Sequence, residues 1–193
     1  MSSSYRLELD RWLASLDVSA DSVLDLGGGQ LNVKGRTKSW DVKDYLIADL
    51  PEPHIGSPKP DIELDLNINM LKNLDAYKKQ FDLVFCLEVF DYVWNPSFAV
   101  INICQLLKDG GTAWITFPTV YPHHQPIEDD ALRYMQGGIK KLLVDWAGFE
   151  ILQMIPRRPE TNAIENLWRA ERMRAAKHFD HNVTGYIVEV KKV

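Results

Sequence analysis

Five consecutive residues, Asp25-Leu26-Gly27-Gly28-Gly29, carry the most chemical information in the chain. Val23 and Leu24 precede them, and Tyr45-Leu46-Ile47-Ala48-Asp49 follows. A buried strand, a glycine turn and a second strand ending in an acid build a nucleotide-type cofactor site at the carboxyl edge of a parallel sheet. A dinucleotide pyrophosphate sits at such a turn, and the Asp25 carboxylate beside it would repel that charge. A ligand whose ammonium and sulfonium are both positive suits a nearby carboxylate, which points to S-adenosylmethionine. Asp49 can take ribose hydroxyls in either ligand and does not discriminate. The turn also reads Gly27-x-Gly29-x-x-Asn32, without the third glycine of the dinucleotide fingerprint.

The elements that must position these residues follow from periodicity. Leu9, Trp12, Leu13 and Leu16 recur at helical spacing, so 4–17 is predicted as an amphipathic helix. Strands are predicted at Ser22–Leu26 and Tyr45–Ala48, with a polar turn or short irregular helix over 30–44 between them. Four prolines and Gly56 mark 51–60 as a surface loop. Asp61–Asp65 alternates like a strand, and Phe81–Leu87 is an apolar run suited to a central parallel strand. Pro96 starts a helix that runs through Leu107 and stops at Asp109-Gly110-Gly111. Thr112–Phe117 is a further strand. Ile139, Leu142, Leu143, Trp146 and Ala147 form a helical stripe ended by Gly148. Phe149–Ile155 and Gly185–Lys191 complete the strands, the last two forming an expected antiparallel pair. Together they predict one α/β domain over 1–193, Rossmann-like and doubly wound. Its sheet is seven-stranded and mostly parallel, with an antiparallel C-terminal edge strand and a helical excursion at about 156–184.

Val23–Gly29, Asp49 and above all Phe81-Asp-Leu-Val-Phe-Cys-Leu-Glu-Val-Phe-Asp-Tyr-Val-Trp-Asn-Pro96 resemble the class I S-adenosylmethionine-dependent methyltransferases, in particular the small-molecule group called methyltransferase type 11. Leu106–Thr116 and the stretch from Asp130 to Leu143 with Ala147-Gly148-Phe149 are similar to later segments of that family. The chain departs from the pattern at Leu31, where many members carry a third turn glycine, at Asp91-Tyr92, where a Glu-His pair is usual, and at Met135, where Ser or Thr caps the late helix. The resemblance implies a methyl-donor site in which Asp25, Asp49 and Asp65 face the ammonium, ribose and adenine. Gly27, Gly28, Gly29, Leu50, Leu66 and Leu87 would line that site, with Glu88 at its floor.

Methyl transfer needs the acceptor atom and the methyl held in near-attack geometry, and a base only where the acceptor must lose a proton. His123 and His124 are candidates for that base or for acceptor binding, against the alternative of a plain surface loop pair. Tyr92 is a third candidate, with simple packing as its alternative. Trp12, Asp130, Arg133 and Tyr134 are the expected acceptor contacts. For Arg133 an internal salt bridge to Asp129 or Asp130 is the favoured reading over a clamp on an anionic or sugar substrate. The expected acceptor is a small molecule or sugar.

A net charge of −5 and hydrophobic and charged contents of 46% and 25% describe an ordinary globular chain without the basic surplus of a dedicated nucleic-acid binder. The base-gripping Asn/Asp-Pro-Pro-aromatic tetrapeptide is absent after Leu87. No apolar run reaches a membrane span, the N-terminus has no secretory character, and the expected compartment is cytoplasmic. Cys86 and Cys104 lie in apolar segments and read as buried thiols. His178 and His181 have ligand-like spacing, but nothing completes a metal set, so no metal is expected. Arg157, Arg158, Arg169, Arg172, Arg174 and Lys177 alternate with glutamates and read as a solvated helix face. Two rival functions remain open: a catalytically inactive S-adenosylmethionine-binding partner subunit and an NAD-dependent reductase.

Overall fold

The computed structural model describes residues 4–52, 57–68, 76–121, 123, 126–170 and 182–193. In chain order the elements are α1 (Ser4–Leu13), β1 (Asp17–Leu26), β2 (Ser39–Asp49), β3 (Ile62–Glu63), β4 (Phe81–Cys86) and α2 (Pro96–Leu106). Then come β5 (Leu107–Pro118), a 3-10 turn (Ile127–Asp129), α3 (Gln136–Lys140) continuing as a π-helical stretch (Lys141–Trp146), β6 (Phe149–Arg157), α4 (Ala163–Ala170) and β7 (Gly185–Lys192).

Seven strands form one sheet in the order β3-β2-β1-β4-β5-β7-β6. β1 to β5 pair in parallel, while β7 runs antiparallel to both β5 and β6. The antiparallel C-terminal strand thus lies in the edge pair, with β6 outermost. Alternation along the strands divides the core. Leu24, Leu26, Val84, Cys86, Val188 and Val190 face α2 and the α3–π segment. Val23, Leu83, Phe85 and Ile187 face α1, which buries Leu9 and Leu13 against them. Fully burying a leucine stabilises by about 1.5–3 kcal/mol, so Leu9 and Leu13 suffice to dock this short helix.

Several elements depart from their predicted bounds for local reasons. α1 ends at Leu13, where Ser15 returns its hydroxyl to the Trp12 carbonyl at 2.7 Å, and β1 begins at Asp17 rather than Ser22. The added half of β1 pairs only with the equally polar first half of β2, Ser39–Asp44. No helix forms between β1 and β2; turns fill 27–38, where the Val33 side chain is buried as an apolar plug. α2 starts at Pro96, and in place of a side-chain cap from Asn95 the side-chain Oδ1 of Asn67 accepts the Trp94 and Asn95 N–H groups at 2.9 and 3.1 Å. The late helix is not regular. Its π-helical turns keep Ile139 and Leu143 buried but carry Trp146 off the stripe, leaving it 59% exposed. Gly148, at φ +73°, ends the segment as expected of a C-terminal glycine.

Candidate functional site

The carboxyl ends of β1, β2 and β4 open onto a cavity of about 730 Å³. Asp25, Gly27, Asp49, Leu50, Asp65, Leu66, Leu87 and Glu88 all reach its wall, so residues from four separate segments converge. Gly28 and Gly29 complete the turn beside them. The sequence suggests that these glycines clear space for a ligand, but their nearest obstacles are the protein's own acids. A Cβ on Gly28 would stand 2.6 Å from Asp25 Cγ, and one on Gly29 would stand 2.5 Å from Asp49 Oδ2. Gly27 combines φ +76° with Val89 Cγ2 only 2.3 Å from where its Cβ would be.

Asp25 is 2% exposed, and its Oδ2 accepts the Val33 N–H and the Tyr45 O–H, each at 2.7 Å. These bonds favour the carboxylate, but burial outweighs them and pushes the Asp25 carboxyl up to about 6. Tyr45 had read only as a strand start. Its register opposite Val23 places it on the Asp25 face of the sheet, the signal that would have found it. Asp49 receives the Gly29 N–H on Oδ2 at 3.0 Å and the Leu50 N–H on Oδ1 at 2.8 Å. Asp65 Oδ1 receives the Asn67 N–H at 2.8 Å. A carboxylate oxygen has room for a second hydrogen bond, so Asp49 and Asp65 are oriented by these bonds and can still receive donors from a ligand.

Glu88 holds the cavity floor in a left-handed conformation, φ +58°, which costs a non-glycine residue about 1–3 kcal/mol. Its carboxylate pairs with Arg157 at 2.5 Å. Arg157, which reads in the sequence as part of a solvated basic face, is instead buried at the end of β6. Arg172, Arg174 and Lys177 of that group lie outside the described residues. So do His178 and His181, and among the described residues no His/Cys/Asp/Glu group could hold a metal ion.

Of the residues expected to serve as base or acceptor contacts, Tyr92 lines the cavity, whereas Trp12, His123, Asp130, Arg133 and Tyr134 do not reach its wall. Burial, followed by the Asp91 carboxylate, pushes the Tyr92 hydroxyl upward and keeps it a phenol at neutral pH. His123 is exposed off the cavity wall and sits 3.2 Å from Asp130 through Nδ1; His124 lies outside the described residues. The buried Asp130 carboxylate receives a fork from Arg133 at 2.6 and 2.8 Å, the internal salt bridge favoured above. Tyr134 is buried against Phe90 and Phe117 and donates to the Val93 carbonyl at 3.4 Å. Trp12 packs edge-on against Trp114 with centroids 4.7 Å apart. Trp12, Asp130, Arg133 and Tyr134 thus engage in packing and ion pairing within the fold, while Tyr92, Tyr121, Glu128 and Asp129 line the cavity. Their aromatic and charged types resemble a binding surface in the sequence, yet fold packing claims them. Across the whole cavity carboxylates dominate, with Arg6 and Arg36 the arginines on the wall and Arg36 paired to Asp10 at 2.6 Å.

Buried thiols occur as expected at Cys86, fully enclosed, and partly at Cys104; burial raises both. No helix among the described residues is long and apolar enough to cross a membrane.

A family model described as a methyltransferase domain matches residues 40–115. The chain is 28% identical over 104 residues to the ubiquinone biosynthesis O-methyltransferase of Rickettsia typhi, a match spanning 52% of this chain and 42% of that protein. It thus covers under half the length of this curated relative. Among solved structures, an S-adenosylmethionine-dependent methyltransferase from Mesorhizobium loti superposes with a TM-score of 0.61 at 15% identity, covering 97% of this chain and 98% of that one. One from Archaeoglobus fulgidus gives 0.61 at 14%, covering 99% and 95%. At such identities the likeness is one of fold. The family-model match over residues 40–115 joins that likeness of fold to the methyltransferase domain across the stretch from β2 to β5.

Proposed function

We propose that the chain binds S-adenosylmethionine in the strand-end cavity and directs methyl transfer to the oxygen or nitrogen of a small-molecule or glycan acceptor. The observation that carries this reading is the convergence of Asp25, Asp49 and Asp65 on one cavity whose charged lining is predominantly acidic. Such a lining fits a ligand bearing ammonium and sulfonium and opposes the pyrophosphate that an NAD-dependent reductase would have to hold. Asp25 would meet the ammonium, Asp49 the ribose hydroxyls and Asp65 the adenine edge, beside Leu50, Leu66 and Leu87. When bound, the cofactor supplies an electrophilic methyl on a positively charged sulfur.

The chain contributes orientation and exclusion of water. Tyr92 stays protonated, so it serves as a hydrogen-bond donor to the acceptor and not as a base. Glu128 and Asp129 on the outer wall favour neutral or cationic acceptors, since hydroxyl and ammonium groups donate to carboxylates while an anion is repelled. Sugars and amines are therefore the acceptor classes to screen first.

The test is side-by-side calorimetric titration of the chain with S-adenosylmethionine, S-adenosylhomocysteine and NADH, followed by an acceptor screen. Saturable binding of both adenosyl compounds and turnover with an acceptor are expected. Binding of NADH alone would overturn the donor assignment, and binding without turnover on any acceptor would favour the partner-subunit function.

A further inference from the structure

We infer that Arg157 is the positioning residue of the cavity floor, fixing the Glu88 turn and, through it, the glycine turn beside the donor. The effect on the donor rests on the function proposed above; the positioning rests on this chain's geometry alone.

A glutamate with φ +58° persists only where its surroundings over-determine it. Thr116 on β5 accepts the Glu88 N–H at 2.7 Å and donates its own hydroxyl to Glu88 Oε1 at 3.0 Å. Arg157 adds one N–H to Oε1 at 2.5 Å and a second to Oε2 at 3.4 Å. The Arg157 side chain is 1% exposed and that of Glu88 is 32% exposed, so the carboxylate is held from the protein side while remaining open to the cavity. The next residue, Val89, then stands against Gly27, its Cγ2 2.3 Å from where a Cβ would lie. Guanidinium, Glu88 turn, Val89 and glycine turn form one contiguous stack.

The same arginine reaches the acceptor side through its backbone. Its carbonyl accepts the Thr184 N–H at 2.9 Å and the Thr184 hydroxyl at 3.2 Å. The Thr184 carbonyl in turn accepts the N–H groups of Thr119 and Val120 at 2.8 and 3.1 Å, where the chain leaves β5 for the segment that carries Tyr121, Glu128 and Asp129. Arg157 thus joins the two halves of the site. A planar fork suits this task better than a lysine point charge. Without the fork, the Glu88 carboxylate loses the charged partner that holds it back from the cavity.

The experiment compares the full chain with Arg157→Met, Arg157→Lys and Glu88→Gln by amide hydrogen exchange without ligand, and by calorimetric titration with S-adenosylhomocysteine. In Arg157→Met the Glu88 and Tyr92 amides should exchange at least about tenfold faster relative to those of Leu24 and Val84, which report global opening. Affinity should fall about tenfold or more, and Arg157→Lys should recover part of both losses. Equal acceleration at all four amides, or no acceleration at Glu88, would overturn the positioning role. Should Arg157→Met not fold, Arg157→Lys and Glu88→Gln carry the same comparison, with faster exchange at residue 88 expected in each. A wild-type chain that binds no S-adenosylhomocysteine would remove the donor assignment and leave the exchange data to decide the role of Arg157.

Discussion

The carboxyl of Asp25 titrates within an experimentally convenient range, and replacing it with asparagine separates its two roles. In the unfolded chain it ionises near 3.8, whereas burial pushes it up to about 6 in the fold. The folded state therefore prefers the protonated form. The stabilisation this gives is complete below pH 3.8 and is lost as pH rises through 6. A shift of about two units corresponds to about 3 kcal/mol, of which about 1.4 kcal/mol falls between pH 5 and pH 8. Asparagine keeps an oxygen for the Val33 and Tyr45 bonds and carries no charge at any pH. In urea denaturation, wild type should lose about 1.4 kcal/mol relative to Asp25→Asn on moving from pH 5 to pH 8. Any fixed cost of burying the new amide cancels in that difference. Donor binding should move in the opposite direction, because the ammonium favours the ionised acid. Wild-type affinity for S-adenosylhomocysteine should weaken about tenfold per pH unit below 6. The variant should bind weakly and without this pH dependence. A flat wild-type binding profile, or wild-type affinity in Asp25→Asn at pH 8, would refute the electrostatic role given to this residue.

Gly29→Ala would place a methyl 2.5 Å from Asp49 Oδ2 and displace that carboxylate, so donor affinity should fall at least about tenfold with the fold retained. Calorimetry showing unchanged affinity would remove Asp49 from the ribose. Asp49→Ala should cost about 1–3 kcal/mol of donor binding by the same measurement. Tyr45→Phe strips a hydrogen bond from the ionised Asp25, so the midpoint of donor binding should move above pH 6; a midpoint at or below 6 would contradict the pairing. Tyr92→Phe should alter kcat by less than about tenfold and leave the pH–rate profile unmoved, because the phenol does not ionise in the working range; loss of the acidic limb would make it a proton acceptor after all.

The parts of this fold legible in the sequence are those where one physical signal dominates. β4 and the second half of β1 are apolar runs covered on both faces, and their ends place the cavity. The first halves of β1 and β2 were hidden, because polar Asp17, Ser19 and Asp21 dominate the stretch and Val18 is its one buried apolar residue before Val23. The π-helical turns after Lys140 left no mark either, since Ile139 and Leu143 fit a regular stripe as well. In the site, the convergence of Asp25, Asp49 and Asp65 was legible because each stands at or just beyond the carboxyl end of a strand. The packing of Trp12 and Tyr134 was not, because an aromatic side chain serves a core and a binding surface equally well. Arg157 was masked by its basic neighbours, although it shares the strand parity of Ile155, which faces the core, and that alternation marks it as inward.

The absence of a helix across 27–38 has an electrostatic consequence. A helix beginning just after a glycine turn presents the positive end of its macrodipole, equivalent to about half a unit charge, to whatever occupies the site. Here turns replace it, and the first free backbone donors are spent on Asp25 and Asp49. The field at the cavity is left to the carboxylates. Added salt screens that field, so it should loosen the grip on a cationic ligand while easing the entry of an anionic one. Ionic strength thus acts on this cavity as a selectivity control, with discrimination between sulfonium donor and pyrophosphate cofactor sharpest in dilute buffer.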